Sequence, residues 1–241
     1  ASGESADQQI AAMKDVAARA KALDAELQIA EAELDGALAL LPNLPDDDAP
    51  AEDTVLRECG EQPKFDFEPR DHLDLSGERI DMERAARLSG ARFAYLRGEL
   101  VMLELALVRW TLELLGEHGF EPVIPPVLVR EEALHGTGFL PDTEQQIYRL
   151  ADDDLYLVGT SEVALASLHA DEIRVAEKLP LRYAGFSPCF RREAGSAGRD
   201  TRGIFRVHQF DKVEMFSFAA PEEAKEEHLR LLAIEEQILT A

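Results

Sequence analysis

Cysteine is scarce in this sequence, and long apolar runs are absent from it. The two cysteines, Cys59 and Cys189, lie far apart and form no CxxC pair, which argues against a disulfide framework or a cysteine-ligated zinc site and favours a reducing compartment. No run of 18 apolar residues occurs, and the first residues lack the charged-then-apolar pattern of a signal peptide. The sequence therefore predicts a cytoplasmic protein without a membrane span.

Positive charge is also scarce, with 25 Lys and Arg against 48 Asp and Glu, for a formal net charge of −23. Because nucleic-acid affinity rests on Lys and Arg that neutralise phosphates, the average charge argues against a polyanionic partner. The segment 191–206 departs from this average. It carries a surplus of three positive charges through Arg191, Arg192, Arg199, Arg202 and Arg206. This pattern indicates an anion site on an acidic scaffold.

The residues up to about Leu41 carry a heptad pattern. Apolar side chains recur in steps of three and four at Met13, Val16, Ala20, Leu23, Leu27, Ala30, Leu34, Ala37 and Leu41. This predicts one long coiled-coil helix within a first domain at residues 1–44. The alanines favour one closely packed partner helix, which we expect upstream in the parent chain. Pairing with a second copy of the same helix is the alternative.

The pattern changes several times after this helix. Prolines and aspartates predict a linker and an extended segment at residues 45–80, and a long helical pattern follows from about Met82 to His118. Strand-like segments, a hairpin around Asp152 and short helices come next. The predicted fold class is α+β, with residues 81–241 forming an antiparallel sheet flanked by helices.

Two predicted strands, Leu181–Glu193 and Ile204–Phe218, bracket a glycine-rich turn. Side chains alternate between the two faces of a strand. The face expected to carry chemistry holds Arg191, Glu193, Arg206, Phe210 and Glu214. The face expected to join the core holds Phe205, Val207, Val213 and Met215.

The chemical face suits a nucleoside triphosphate. Arginines bind phosphate oxygens bidentately, and an aromatic ring offers a platform for a base. Such a site needs no general base where the attacking group is already an anion, because catalysis then rests on positioning and on neutralising charge at the phosphate. The alternative is an exposed, salt-bridged hairpin whose charges face water.

The segment from Phe190, with the sequence FRREAGSAGRDTRG, to Glu214 resembles motif 2 of the class II aminoacyl-tRNA synthetases, in the form typical of bacterial seryl-tRNA synthetases. Residues 120–129, with Pro126, resemble motif 1 of that class. Residues 158–162 resemble the TxE element that binds serine in the seryl enzymes. The resemblance extends over nearly the whole chain and implies a class II catalytic sheet preceded by a coiled-coil arm.

The family resemblance implies activation of L-serine by ATP with Mg²⁺ and transfer to tRNA(Ser), in a homodimer formed through motif 1 and the helix before it. Arg191 would be the catalytic residue, in contact with the α-phosphate and the serine carboxylate. The other implied ATP contacts are Glu193, Arg206, Val207 and Phe210. The other implied serine contacts are Thr160, Ser161, Glu162 and Glu214. No metal ligand from the protein is expected.

Several alternatives stay open at this point. Thr160 and Ser161 also fit the N-cap of a following helix, and Arg199 and Arg202 fit either the tRNA acceptor end or a solvated loop. No segment resembles the first arm helix or motif 3, so we expect the chain as given to be impaired. A ligase that loads a carrier protein with a small amino acid, and a non-catalytic coiled-coil interaction protein, are the two other functions.

Overall fold

The computed structural model describes residues 3–142, 145–194, 198 and 202–241. The chain divides into two compact units, with the boundary between Glu61 and Gln62. The finer division into 1–44, 45–80 and 81–241 stays a prediction. Within the described ranges, none of the helices combines the length and apolar character needed to cross a bilayer.

The first unit is dominated by the helix α1, Gly3–Leu38, which confirms the long helix predicted from the heptads. It ends slightly before Leu41, whose N–H bonds to the carbonyl of Leu38 in a tight turn. Pro42 explains this end, because proline disfavours helical geometry in the residue before it. The apolar seam, including Val16 and Leu27, is more than half exposed.

The second unit begins with short elements and one longer helix. In chain order they are α2 (His72–Ser76), β1 (Ile80–Asp81), α3 (Met82–Ser89), β2 (Tyr95–Leu96) and α4 (Glu99–Glu117). A 3-10 turn at Gly77–Arg79 follows α2, and β1 pairs antiparallel with β2.

The single helix predicted from Met82 to His118 is therefore wrong, since α3 and α4 are separated by a strand. Gly90 follows α3 with a φ of 100°, and its N–H bonds to the carbonyl of Ala86. Gly98, with a φ of 61°, precedes α4. Both values lie in the left-handed region that glycine adopts without a steric penalty, so the two glycines end one helix and begin the other.

The remaining elements build two sheets and their flanking helices. In chain order they are β3 (Glu121–Val123), β4 (Leu128–Val129), α5 (Glu131–Gly136), β5 (Tyr148–Leu150), β6 (Leu155–Leu157), α6 (Glu162–Ala166), β7 (Leu181–Phe190), β8 (Gln209–Phe218) and α7 (Ala224–Thr240). Short 3-10 turns at Ser167–His169, Ala176–Lys178 and Pro221–Glu223 connect some of them.

The larger sheet has the strand order β3–β7–β8, with β3 parallel to β7 and β7 antiparallel to β8. A buried apolar core packs against this sheet. It consists of Leu115 from α4, Phe120 just before β3, Ala184 from β7 and Ile234 from α7. The smaller sheet has the antiparallel order β4–β6–β5, which confirms the predicted hairpin. The α+β class is confirmed.

The strands of the β7–β8 hairpin are shorter than predicted. Their pairing ends at Phe190 and Gln209, so Arg191, Glu193, Arg206 and Val207 lie on the flanking segments. The alternation argument does not apply there, and Phe205, predicted to be in the core, is 82% exposed. Two backbone N–H groups next to the ends of the ladder bond to other segments, that of Arg192 to the carbonyl of Gln146 and that of His208 to the carbonyl of Arg92. The left-handed φ of Glu193 (51°) is also incompatible with a continuing strand.

A buried ion pair joins the larger sheet to α7. Arg182 on β7 donates to both carboxylate oxygens of Glu227 at 2.5 and 2.7 Å, and Ser217 on β8 donates at 2.8 Å. The hydrogen bond from Arg182 outweighs burial and lowers the pKa of Glu227. Three elements are thereby held by one carboxylate.

We expect Glu227→Ala to lower the free energy of unfolding by about 3 kcal/mol, because it leaves the charge of Arg182 unpaired in a largely buried position. Chemical denaturation at pH 7 measures this. Since the folded pKa lies below the usual 4.5, the contribution is complete above that pH and is lost as the pH falls through the folded pKa. The exposed control Glu235→Ala should change stability by less than about 0.5 kcal/mol, and equal effects of the two variants would contradict the assignment.

Candidate active site

The carboxylate of Glu214 on β8 is the centre of a buried polar cluster. Its Oε2 accepts hydrogen bonds from the hydroxyls of Thr160 and Ser161, at 2.5 and 2.9 Å, and from the N–H of Glu162 at 3.2 Å. Thr160 and Ser161 are 3% and 0% exposed. Ser161 is the N-cap residue of α6 but makes no capping bond with its own side chain. The N–H of Glu162 at this helix end bonds to Glu214 and to Oγ1 of Thr160 instead.

A glycine on β7 makes the close approach of α6 possible. Gly185 lies opposite Glu214 in the ladder, and a Cβ atom there would lie 2.8 Å from Cδ1 of Leu165 and 3.0 Å from Oγ of Ser161. Only a residue without a side chain lets α6 lie this close to the strand.

Lys212 belongs to the same cluster and was missed from the sequence. Its ammonium donates to Oγ1 of Thr160 at 2.6 Å and lies 3.1 Å from Oε2 of Glu214. The cluster is thus complementary to a primary ammonium group. Strand alternation contained the signal, because Lys212 lies two residues before Glu214 and two after Phe210, on the same face of β8.

The two carboxyl groups of the cluster have opposite pKa shifts. Burial raises the pKa of Glu162, and the neighbouring charge of Glu214 raises it further. Burial acts in the same direction on Glu214, but the hydrogen bonds from Thr160 and Ser161 and the charge of Lys212 together lower its pKa. Glu214 is therefore the carboxyl group held as an anion, and Glu162 is the one more easily protonated.

Arg191 lies next to this cluster. Its Nε donates to the carbonyl of Gly159 at 3.2 Å, and its guanidinium carbon lies 5.3 Å from the centre of the Phe210 ring. The side chain is exposed, so its remaining donors are available to a ligand. Gly159 directly precedes Thr160, so the Arg191 guanidinium is bonded to the chain next to the ammonium-binding cluster.

A cavity of about 420 Å³ opens beside Arg191, and its lining includes Gly159, Glu193 and Arg206. This volume is in the range of small-molecule sites. Arg206 donates to Oε2 of Glu193 at 2.6 Å, and the Glu193 side chain is only 11% exposed. The pair presents both a cation and a carboxylate to the cavity.

The predicted site residues thus fall into two neighbouring groups. Thr160, Ser161 and Glu162 all bond to the Glu214 carboxylate, beside which the Lys212 ammonium lies. Arg191, Glu193 and Arg206 line the cavity. Val207 is half-buried in the segment that leads to β8. His208, to which no role was given, donates from Nδ1 to the carbonyl of Arg191 at 2.8 Å. Arg199 lies outside the described residues.

The comparisons with known proteins agree with this architecture. The family model "tRNA synthetase class II core domain (G, H, P, S and T)" matches residues 146–241. The serine–tRNA ligase of Micrococcus luteus is 55% identical over all of this chain, and that of Acidothermus cellulolyticus is 56% identical over 95% of it. The chain spans 58% and 56% of these two relatives.

Solved structures extend the likeness to the fold. The seryl-tRNA synthetase of Pyrococcus horikoshii complexed with ATP superposes with a TM-score of 0.91 at 38% identity, over 99% of this chain and 59% of that one. The cytoplasmic serine–tRNA ligase of Naegleria fowleri in complex with AMP gives a TM-score of 0.82 at 29% identity, over 90% of this chain and 54% of that one.

The matched core domain, the relatives and the solved structures agree on the class of protein, the class II aminoacyl-tRNA synthetases. Within this class the chain belongs to the seryl-tRNA synthetases, as predicted from its motifs. It corresponds to somewhat more than half of the length of its relatives.

We expect Gly185→Ala to destabilise the chain by about 1–3 kcal/mol, because the added methyl group overlaps Leu165 and Ser161. Urea denaturation measures the loss. Gly116→Ala on α4 is the matched control, since an added Cβ there meets no described atom within 4 Å, and alanine is the better helix former. A loss no larger than in the control would contradict the close packing of α6.

Proposed function

We propose that the whole protein activates L-serine with ATP to seryl-adenylate and transfers the seryl group to tRNA(Ser), in the cytoplasm. The observation that carries this proposal is the contact of the Lys212 ammonium with Thr160 and Glu214 beside an arginine-lined cavity. The names of the relatives, serine–tRNA ligases, support the choice of amino acid.

In this proposal the polar cluster is the serine site. Glu214 and Thr160 bind the serine ammonium, which joins or displaces that of Lys212, and Glu162 accepts from the serine hydroxyl, with Ser161 supporting Glu214. Arg191, whose side chain is bonded to Gly159 beside this cluster, binds the serine carboxylate. A buried site that bonds a hydroxyl rejects alanine, because alanine would leave a polar group without its partner.

The cavity is the proposed ATP site. Arg191 contacts the α-phosphate, Arg206 the distal phosphates and Glu193 the nucleotide, while Val207 meets the adenine through its backbone and Phe210 stacks on it. Mg²⁺ would enter with ATP. In sites of this kind Mg²⁺ is typically bound through substrate phosphates and water with one or two carboxylates.

The proposed activation step needs little from the protein beyond position and charge. A serine carboxylate oxygen attacks the α-phosphorus of ATP, a P–O bond forms, and the bond to pyrophosphate breaks. No proton moves, because the nucleophile is already an anion. Arg191 holds both reactants and neutralises charge that develops on the α-phosphate.

Serine-dependent ATP–pyrophosphate exchange by the whole protein tests this function. We expect exchange with serine, and about 10⁴-fold less with alanine, as for other sites that bond a substrate hydroxyl. Arg191→Ala should lower kcat at least about 100-fold, the typical loss for one stabilising donor. Glu214→Ala should abolish saturation by serine, because it removes the anionic partner of the ammonium.

The control for these variants is Arg192→Ala, an exposed arginine adjacent to Arg191, which should leave exchange within about twofold of wild type. If no amino acid supported exchange, the enzymatic proposal would be wrong and a non-catalytic role would be favoured. If exchange occurred but only a carrier protein accepted the amino acid, transfer to tRNA would be the part that failed.

We also propose that the protein is a homodimer through α4 and the motif 1 segment, and that α1 belongs to an arm that binds tRNA(Ser). Met102, Leu103 and Leu107 on α4 are all more than half exposed, on the helix that contributes Leu115 to the core. An apolar groove of about 590 Å³ runs along this helix. A patch of this kind is typical of a protein interface.

Leu103→Glu should convert the dimer to a monomer at micromolar concentration, because a charge would be buried in an apolar interface without a partner. Sedimentation velocity measures the change. Arg87→Gln, an exposed position on α3, should leave the dimer intact. A wild-type monomer, or a dimer that tolerates glutamate at 103, would argue against this interface.

A further inference from the structure

The carboxyl-terminal part of the β7–β8 loop is tied to α2, more than a hundred residues earlier in the chain. Nε of Arg202 bonds to Oδ2 of Asp71 at 2.5 Å, and Nη2 bonds to Oδ1 of Asp74 at 3.0 Å. The hydrogen bond from Arg202, together with the N–H of Asp74, lowers the pKa of Asp71 to about 2. Asp71 therefore serves both as N-cap of α2 and as a partner of the loop.

His72 makes a second link between the same two segments. Its Nε2 accepts a hydrogen bond from the N–H of Ile204 at 3.1 Å. The Phe205 ring meets the imidazole edge-on, with centroids 4.8 Å apart. Two consecutive loop residues are thus held by one side chain.

Gly203, between these contacts, is required for two independent reasons. Its φ of 83° is a conformation that side chains disfavour, and an added Cβ atom would lie 1.9 Å from Nε2 of His72. Gly198 in the same loop has nearly the same φ, 82°, but an added Cβ there meets no described atom within 4 Å. The two glycines share the backbone constraint and differ in the contact with His72.

The loop resumes its path to β8 immediately after this anchor, which we define as Asp71, His72, Asp74, Arg202 and Ile204. Arg206, two residues beyond Ile204, lines the cavity and bonds to Glu193. The start of the loop is held separately by Gln146. Its backbone carbonyl accepts from the N–H of Arg192, and its side-chain amide donates to the carbonyl of Ala194. The anchor thus restrains the side of the loop that carries Arg206.

We propose that the anchor is a positioning device for the ATP site: through Arg202 and Ile204 it holds Arg206 where the distal phosphates bind. This inference rests on the proposed function. It gives Arg202 neither of the two roles that the sequence left open, because its guanidinium is bound by two carboxylates of the same chain.

The test compares matched variants of the whole protein in serine-dependent ATP–pyrophosphate exchange. We expect Gly203→Ala and His72→Phe each to raise the KM for ATP about tenfold, the effect of losing one such hydrogen bond, with the KM for serine within about twofold of wild type. Gly198→Ala should have a smaller effect, and His72→Gln, which keeps an acceptor, should recover part of the loss.

Asp71→Asn separates the anchor from folding, because asparagine still caps α2 but loses the charge that binds Arg202. We expect a modestly lower Tm, because the lowered pKa of Asp71 reflects a stabilising charge, with the protein still folded at the assay temperature, and a raised KM for ATP. Hydrogen exchange provides a readout independent of catalysis, in which the Ile204 amide should exchange slowly in wild type and faster in His72→Phe.

The outcomes distinguish this inference from the proposed function. A wild-type protein without serine-dependent exchange contradicts the function, whatever the variants do. An active wild type whose anchor variants keep both the KM for ATP and a protected Ile204 amide contradicts the anchor. If Asp71→Asn or Arg202→Ala impaired only the transfer to tRNA, with normal exchange, Arg202 would be a tRNA contact and the inference would be overturned.

Discussion

The carboxylate of Glu214 connects the parts of the molecule on which the site depends. One oxygen atom on β8 accepts from two buried hydroxyls and a backbone N–H at the start of α6, and it lies beside the ammonium of Lys212. Burying such a group is costly unless its hydrogen bonds are made. The hydroxyl donors, the nearby cation and the glycine opposite on β7 are therefore parts of one constraint.

The net charge of −23 and a proposed anionic substrate are compatible because charge is organised locally. Arg206 is bonded to Glu193, and Arg202 to Asp71 and Asp74. Arg191 differs, since it donates to a carbonyl and lies over an aromatic ring. The carboxylates hold Arg202 and Arg206 in place but cancel part of the positive potential of these side chains. The exposed guanidinium of Arg191 keeps N–H donors for a phosphate.

Parts of the fold were predictable because the interactions behind them are local. The heptads of α1 and the hairpin of β5 and β6 follow from periodicity and turn residues within a few positions. The break at Gly90 was missed because the helical pattern continues on both sides of it. The ends of β7 and β8 were missed because the N–H groups of Arg192 and His208 bond to the distant residues Gln146 and Arg92, which side-chain alternation does not report.

The sequence by itself determined the long first helix, the α+β class and the membership in the seryl-tRNA synthetases, because these depend on patterns carried by neighbouring residues. Only the tertiary structure decided which side chains meet. Lys212 bonds to Thr160 across 52 positions, and Arg202 to Asp71 across 131. Such pairs depend on strand register and on the packing of α2 and α6, so the chain has to fold before they exist.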